Sequence, residues 1–202
     1  MKYILLLGDS LTEEGYSSGW VSQLSEMYIR RAEVLNRGLS GYNTRWVLDI
    51  IKNETSRHHL LPHHAINPLF VTIMLGTNDA GDHANGISLY EYKSNLRAII
   101  DQVRGNMPPV GGIFLITPPP VDEEAWVERL RAKGVDIQTS DLRFEKIRQY
   151  RDAVLQIGAA EMNAHRDVHV IDMYRVILGP EADTMEYSRG AWCDNFYDGL
   201  HF

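Results

Sequence analysis

Apolar residues fall along the chain in two rhythms. Continuous short runs at Tyr3–Leu7 and Leu69–Leu75 read as strands buried on both faces, and Gly112–Thr117 and Val168–Asp172 read the same way. Ala32–Leu39 is a more polar strand, and Pro118-Pro119-Pro120 stops the run at Thr117. Between the strands the spacing becomes helical. Trp20, Val21, Leu24, Met27 and Tyr28 predict a helix from Trp20 to about Arg31, and Trp46, Val47, Ile50 and Ile51 predict one over Arg45–Lys52. Leu89–Val103 and Phe144–Met162 carry longer apolar stripes. Strands alternating with helices predict parallel pairing through crossovers, and hence an α/β three-layer sandwich. Val121–Asp141 is charged and aperiodic and is expected to form an excursion above the sheet. At 202 residues, with no internal repeat or low-complexity linker, the chain is expected to be one domain over 1–202.

This layout places polar clusters at strand ends. Gly8-Asp9-Ser10 follows the first strand, Ser40-Gly41-Tyr42-Asn43 the second, and Gly76-Thr77-Asn78-Asp79 the third. Ligands of open α/β sheets bind beyond the carboxyl ends of the strands, so these loops should share one crevice.

Composition narrows the function classes. A net charge of −7 disfavours nucleic acid and polybasic membrane contact, both of which need clustered Lys and Arg. No stretch is long enough to span a membrane. The first apolar run is too short for a secretory core and reads as a strand, so a cytoplasmic location is expected. Cys193, the single cysteine, can form no intrachain disulfide; its neighbours carry no activating base, and it reads as a packing residue.

Four features bear on chemistry. Ser10 sits where a strand turns into a helix, as a nucleophile would, though Asp9 or Ser10 could instead cap that helix. In Asp198-Gly199-Leu200-His201 a carboxylate and an imidazole share one loop, which suits a base and its orienting acid; Asp-Gly is also a common turn. Asn78 could donate to an oxyanion and Gly41 could bring a backbone N–H close to a substrate, or both could be ordinary loop residues. Asp9 and Glu13 read as structural or capping, and Asp79 as steadying the Asn78 loop. The His58-His59 and His63-His64 pairs lack the converging ligands that zinc requires, and no Gly-x-Gly-x-x-Gly follows the first strand.

Read together, Gly8-Asp9-Ser10-Leu11-Thr12-Glu13, Gly38-Leu39-Ser40-Gly41, Gly76-Thr77-Asn78-Asp79 and Asp198-Gly199-Leu200-His201-Phe202 resemble the four blocks of the SGNH (GDSL) hydrolases, in family order. The resemblance implies a flavodoxin-like fold with a five-stranded parallel sheet and helices on both faces. It implies Ser10 as nucleophile, His201 as base and Asp198 as its orienting acid. The oxyanion hole would be the N–H groups of Ser10 and Gly41 with the Asn78 amide. Neither metal nor organic cofactor is implied. Arg37–Trp46, Val121–Trp126 and the Asp198–Phe202 segment further resemble the isoamyl-acetate-hydrolysing esterase branch, which implies small, short-chain esters such as acetates as substrates. Tyr42 and Trp126, in expected loops above the sheet, become candidates for the substrate pocket. Carbohydrate O-acetyl esterase and lysophospholipase are alternatives with the same machinery. The family's C-terminal helix is missing after Phe202. That absence predicts a weakly held base, an exposed apolar face suited to a homodimer, and as a further alternative a catalytically impaired α/β binding domain.

Overall fold

A computed structural model describes residues 2–17, 19–62 and 66–202. Five parallel strands form one sheet: β1 (Tyr3–Gly8), β2 (Glu33–Gly38), β3 (Val71–Met74), β4 (Ile113–Ile116) and β5 (Val168–Ile171), in the order β2-β1-β3-β4-β5. The chain moves from β1 to one side for β2 and then returns to the other for β3. The order of strands therefore reverses beside β1, where such sheets form their ligand crevice.

The described residues contain seven α-helices: α1 (Ser10–Glu13), α2 (Trp20–Met27), α3 (Thr44–Lys52), α4 (Leu89–Asn106), α5 (Glu123–Ala132), α6 (Phe144–His165) and α7 (Met173–Leu178). Side chains alternate between faces along each strand. Leu5, Leu7, Val71, Ile73, Ile113 and Leu115 point to one face and join the main core with Val47, Ile51, Leu96, Ile99, Ile147 and Val154 of α3, α4 and α6. Ile4 and Leu6 point to the other face and pack against Val21 of α2. On that second face an apolar groove of about 470 Å³ runs beside α2, lined by residues including Phe70, Met74, Phe114, Ile116, Met173 and Phe202. Among the described residues no helix is long and apolar enough to cross a membrane.

The α/β architecture agrees with the sequence pattern, with two differences. The helix from Trp20 ends at Met27, not near Arg31, because Arg30 adopts φ 62° and turns the chain toward β2. Within the aperiodic excursion lies a true helix, α5, capped by the Asp122 carboxylate; Val127 is its sole buried residue, so it carries no apolar stripe for a periodicity to reveal.

Candidate active site

Strand register brings the polar loops together. Gly8 at the end of β1 pairs with Gly38 of β2 on one side and Met74 of β3 on the other. The three strands thus end level, and the loops carrying Ser10, Gly41 and Asn78 leave the same sheet edge. Asp9 caps α1 by accepting the Leu11 N–H at 3.0 Å, which leaves Ser10 as the first residue of the helix. Among the described residues neither the Ser10 nor the Gly41 N–H donates to a protein acceptor. Gly41 has φ +78°, and the space where a Cβ would project is open, so backbone conformation, not crowding, calls for glycine here.

From the far end of the chain a loop delivers the imidazole. His201 Nε2 lies 2.9 Å from Ser10 Oγ, and His201 Nδ1 lies 2.9 and 3.1 Å from the two Asp198 oxygens. Facing a carboxylate, Nδ1 carries the proton, which leaves the Nε2 lone pair toward the Ser10 hydroxyl. Both Asp198 and His201 are 8% exposed. Burial pushes the Asp198 carboxyl up, but the His201 ring and the N–H groups of His201 and Leu200 outweigh it and hold the group below its ordinary value. Gly199, at φ +90°, presses so closely on α5 that a Cβ would lie 2.6 Å from the Trp126 nitrogen, and its carbonyl accepts the Asp122 N–H at 2.8 Å. The expectation of a weakly held base thus meets a ring that is buried, bonded at both nitrogens and anchored through its loop.

Asn78 bridges the other two loops. Its Nδ2 donates to the Tyr42 carbonyl at 3.0 Å and approaches Asp9 Oδ2 at 3.4 Å. Asp79 ties the Asn78 loop to α3: its carboxylate accepts the Thr44 N–H and hydroxyl at the start of that helix, just after the Gly41 loop. Burial raises Asp9 to about 7, with the Asp79 charge adding to the effect, and burial raises Asp79 to about 6. Glu13 accepts the Ser40 N–H and so ties α1 to the Gly41 loop.

Beside Ser10 opens a cleft of about 490 Å³ lined by Ser10, Glu13, Glu14, Tyr16, Tyr197 and His201 among others. The rings of Tyr42 and Trp126 fall outside this lining. Tyr42 packs edge-on against Trp46 and lines a separate hollow with Leu39 and Ile50. Trp126 lies 6.1 Å from the His201 ring and donates its indole N–H to Asp141. Cys193 sits 3₁₀-wound in Ala191–Asn195, its thiol pushed up by burial and therefore no ready nucleophile. His58 and His59 are exposed, while His63 and His64 lie outside the described residues; among the described residues no three His, Cys, Asp or Glu side chains cluster to hold a metal. Three neighbours of the site were not foreseen from sequence. Asn85 donates to the Gly41 carbonyl at 3.0 Å, Arg129 approaches Asp198 at 3.7 Å, and Tyr197 stacks on the His201 ring. Asn85 sits between the turn glycines Gly81 and Gly86, which is the only local signal for it; the other two carry none.

The GDSL-like lipase/acylhydrolase family model matches residues 6–202. The isoamyl acetate-hydrolyzing esterase 1 homolog of Mus musculus is 32% identical over 205 residues, covering 98% of this chain and 74% of the relative. Its Bos taurus counterpart is 34% identical over 160 residues, 77% of this chain, and the match spans 61% of that relative's length. A possible lipase from Chitinophaga pinensis has the same fold, with a TM-score of 0.64 at 21% identity, covering 100% of this chain and 91% of its own. With the four blocks assembled at one sheet edge and a family match running nearly end to end, the chain belongs to the GDSL-like lipase/acylhydrolase family.

Proposed function

We propose that this protein hydrolyses small carboxylic esters through an acyl-enzyme on Ser10. The observation that carries the reading is the unbroken relay from Asp198 to His201 Nδ1 and from His201 Nε2 to Ser10 Oγ, each link at 2.9 Å. In this reading His201 Nε2 takes the hydroxyl proton as Ser10 Oγ attacks the ester carbonyl. The negative charge that develops on the carbonyl oxygen meets the Ser10 and Gly41 N–H groups and the Asn78 amide hydrogen that its 3.4 Å approach to Asp9 holds only loosely. As the intermediate collapses, His201 returns the proton to the departing alcohol. Water, deprotonated by the same ring, then releases the acid. Asp198, held ionised by its hydrogen bonds, steadies the imidazolium without itself taking the proton. The acids of choice are short, such as acetate; this part of the reading is supported by relatives named as isoamyl acetate-hydrolyzing esterases.

The test is Ser10→Ala, scored with p-nitrophenyl acetate and with a fluorophosphonate probe. The expected result is a loss of hydrolysis of at least about 10³-fold, with no labelling and an unchanged fold. A variant that still turned over acetate esters would overturn the assignment of the nucleophile. A series of p-nitrophenyl esters from acetate to octanoate tests the acyl length, with acetate expected to give the highest kcat/KM.

A further inference from the structure

The loop bearing His201 is anchored differently on its two sides. Toward α5 it is held by backbone, through the Asp122 N–H to Gly199 carbonyl bond and the tight approach of Gly199 to Trp126. Toward the nucleophile's own helix the attachment is made by side chains. The Tyr197 ring lies nearly parallel to the imidazole, at 24° with centroids 5.9 Å apart, and its hydroxyl donates to Glu14 Oε2 at 2.9 Å. Glu14 immediately follows α1, the four-residue helix that begins at Ser10. The Tyr197 N–H also closes the loop on itself by donating to the His201 carbonyl at 3.0 Å. A closed circuit results, from Ser10 along α1 to Glu14, across to Tyr197, onto the His201 ring, and back to Ser10.

We infer that Tyr197 and Glu14 are positioning residues that hold the His201 imidazole at bonding distance and angle to Ser10. Core packing does not account for Tyr197, which is 66% exposed. Its hydroxyl is spent on one carboxylate at a separation of 183 residues, joining the two segments that must meet for the proton to move. Partial enclosure of its hydroxyl against Glu14, together with the Glu14 bond, pushes the phenol up to about 12, so it remains a donor at every pH at which the enzyme would work. An ångström of drift between nucleophile and base is enough to slow such a reaction severely, and this strap opposes drift along the open side of the cleft.

This inference rests on the acyl-enzyme reading, and the experiment keeps the two apart. Wild type, Tyr197→Phe, Glu14→Ala, the double variant and Ser10→Ala are compared by fluorophosphonate labelling rate, by kcat and KM on p-nitrophenyl acetate and isoamyl acetate, and by thermal unfolding. Tyr197→Phe and Glu14→Ala should each lower the labelling rate and kcat by about tenfold, equally for both alcohols, with KM within about twofold. The double variant should be no slower than the slower single, because either change opens the same link. Unchanged labelling and kcat in both single variants would overturn the inference, as would losses that multiply in the double. A loss confined to KM and differing between the two alcohols would overturn it too, by making Tyr197 a substrate contact. A wild type that Ser10-directed probe fails to label would instead sink the acyl-enzyme reading.

Discussion

Asp9 is a carboxyl fully closed off from solvent, one residue before the proposed nucleophile Ser10. Folded, it keeps its proton up to about pH 7, whereas an unfolded chain releases it near 3.8. Between those values the native state binds more protons than the unfolded one, so this residue makes the fold lose stability as pH rises, and the loss is complete above pH 7. Asp79, raised to about 6, adds to the slope over the lower part of the window. Asp122, Asp167 and Asp183 are lowered and act in the opposite sense, as pH falls below the ordinary carboxylate range, so they leave the window free. Asp9→Asn should therefore gain on wild type by more than about 1 kcal/mol between pH 4.5 and pH 7.5 in urea unfolding. Parallel stability curves would refute this. The same substitution turns an amide toward the Asn78 amide, where Asp9 Oδ2 now faces it, so the variant should be the slower esterase whatever its stability. At Asp198, replacement by Asn removes the charge that fixes the imidazole proton on Nδ1. The expected loss in kcat is about 10²–10⁴-fold with the fold intact, measured on p-nitrophenyl acetate.

Between elements, a tight backbone constraint lies where β2 ends against α1. A Cβ on Gly38 would stand 2.2 Å from the Glu13 nitrogen and 2.8 Å from the Asp9 carbonyl, backbone atoms that cannot swing aside. Gly38→Ala must move α1, and with it Ser10. A cost of about 1–3 kcal/mol in unfolding free energy is expected, with a fall in kcat larger than the thermal shift alone explains. Gly38 thus belongs to the site through what it lacks. The sequence pattern carried the elements whose burial is continuous or periodic: Tyr3–Gly8 and Val71–Met74 are buried at every position, and Leu89–Asn106 buries Tyr92, Leu96, Ile99, Ile100 and Val103 along one stripe. It missed α5, which is held by its cap and its charged contacts, and α7, whose six residues are too few to establish a period. The candidate site residues could be proposed for a related reason. Ser10, Gly41, Asn78 and His201 lie in short blocks at strand ends or in a tight loop, whereas Glu14 and Tyr197 are isolated polar residues whose meaning exists only once the chain has closed on itself.

Across the molecule, the segment after β5 must travel from the far edge of the sheet back to β1. Arg151 of α6 fastens its beginning: the guanidinium, 3% exposed, is bonded to Asp172 through two nitrogens and to Asp183. Further on, Arg148 donates to the Met185 carbonyl, Arg189 pairs with Asp122, and Trp192 packs among Phe144, Tyr187 and Phe196. Arg151→Met leaves Asp172 without its buried cation and should cost about 3 kcal/mol in urea unfolding. Labelling per folded molecule should stay near wild type, because the later anchors still deliver His201. A Tm within a degree of wild type would show that Arg151 is not the fastening. Ser10 and His201, nucleophile and base in the acyl-enzyme reading, are separated by 191 residues of chain. On that reading a ribosome that has finished the serine must extend the polypeptide almost twenty times further before that hydroxyl has its proton acceptor, so a nascent or prematurely terminated product would lack the base, and full turnover would report that synthesis and folding have run through the His201 codon.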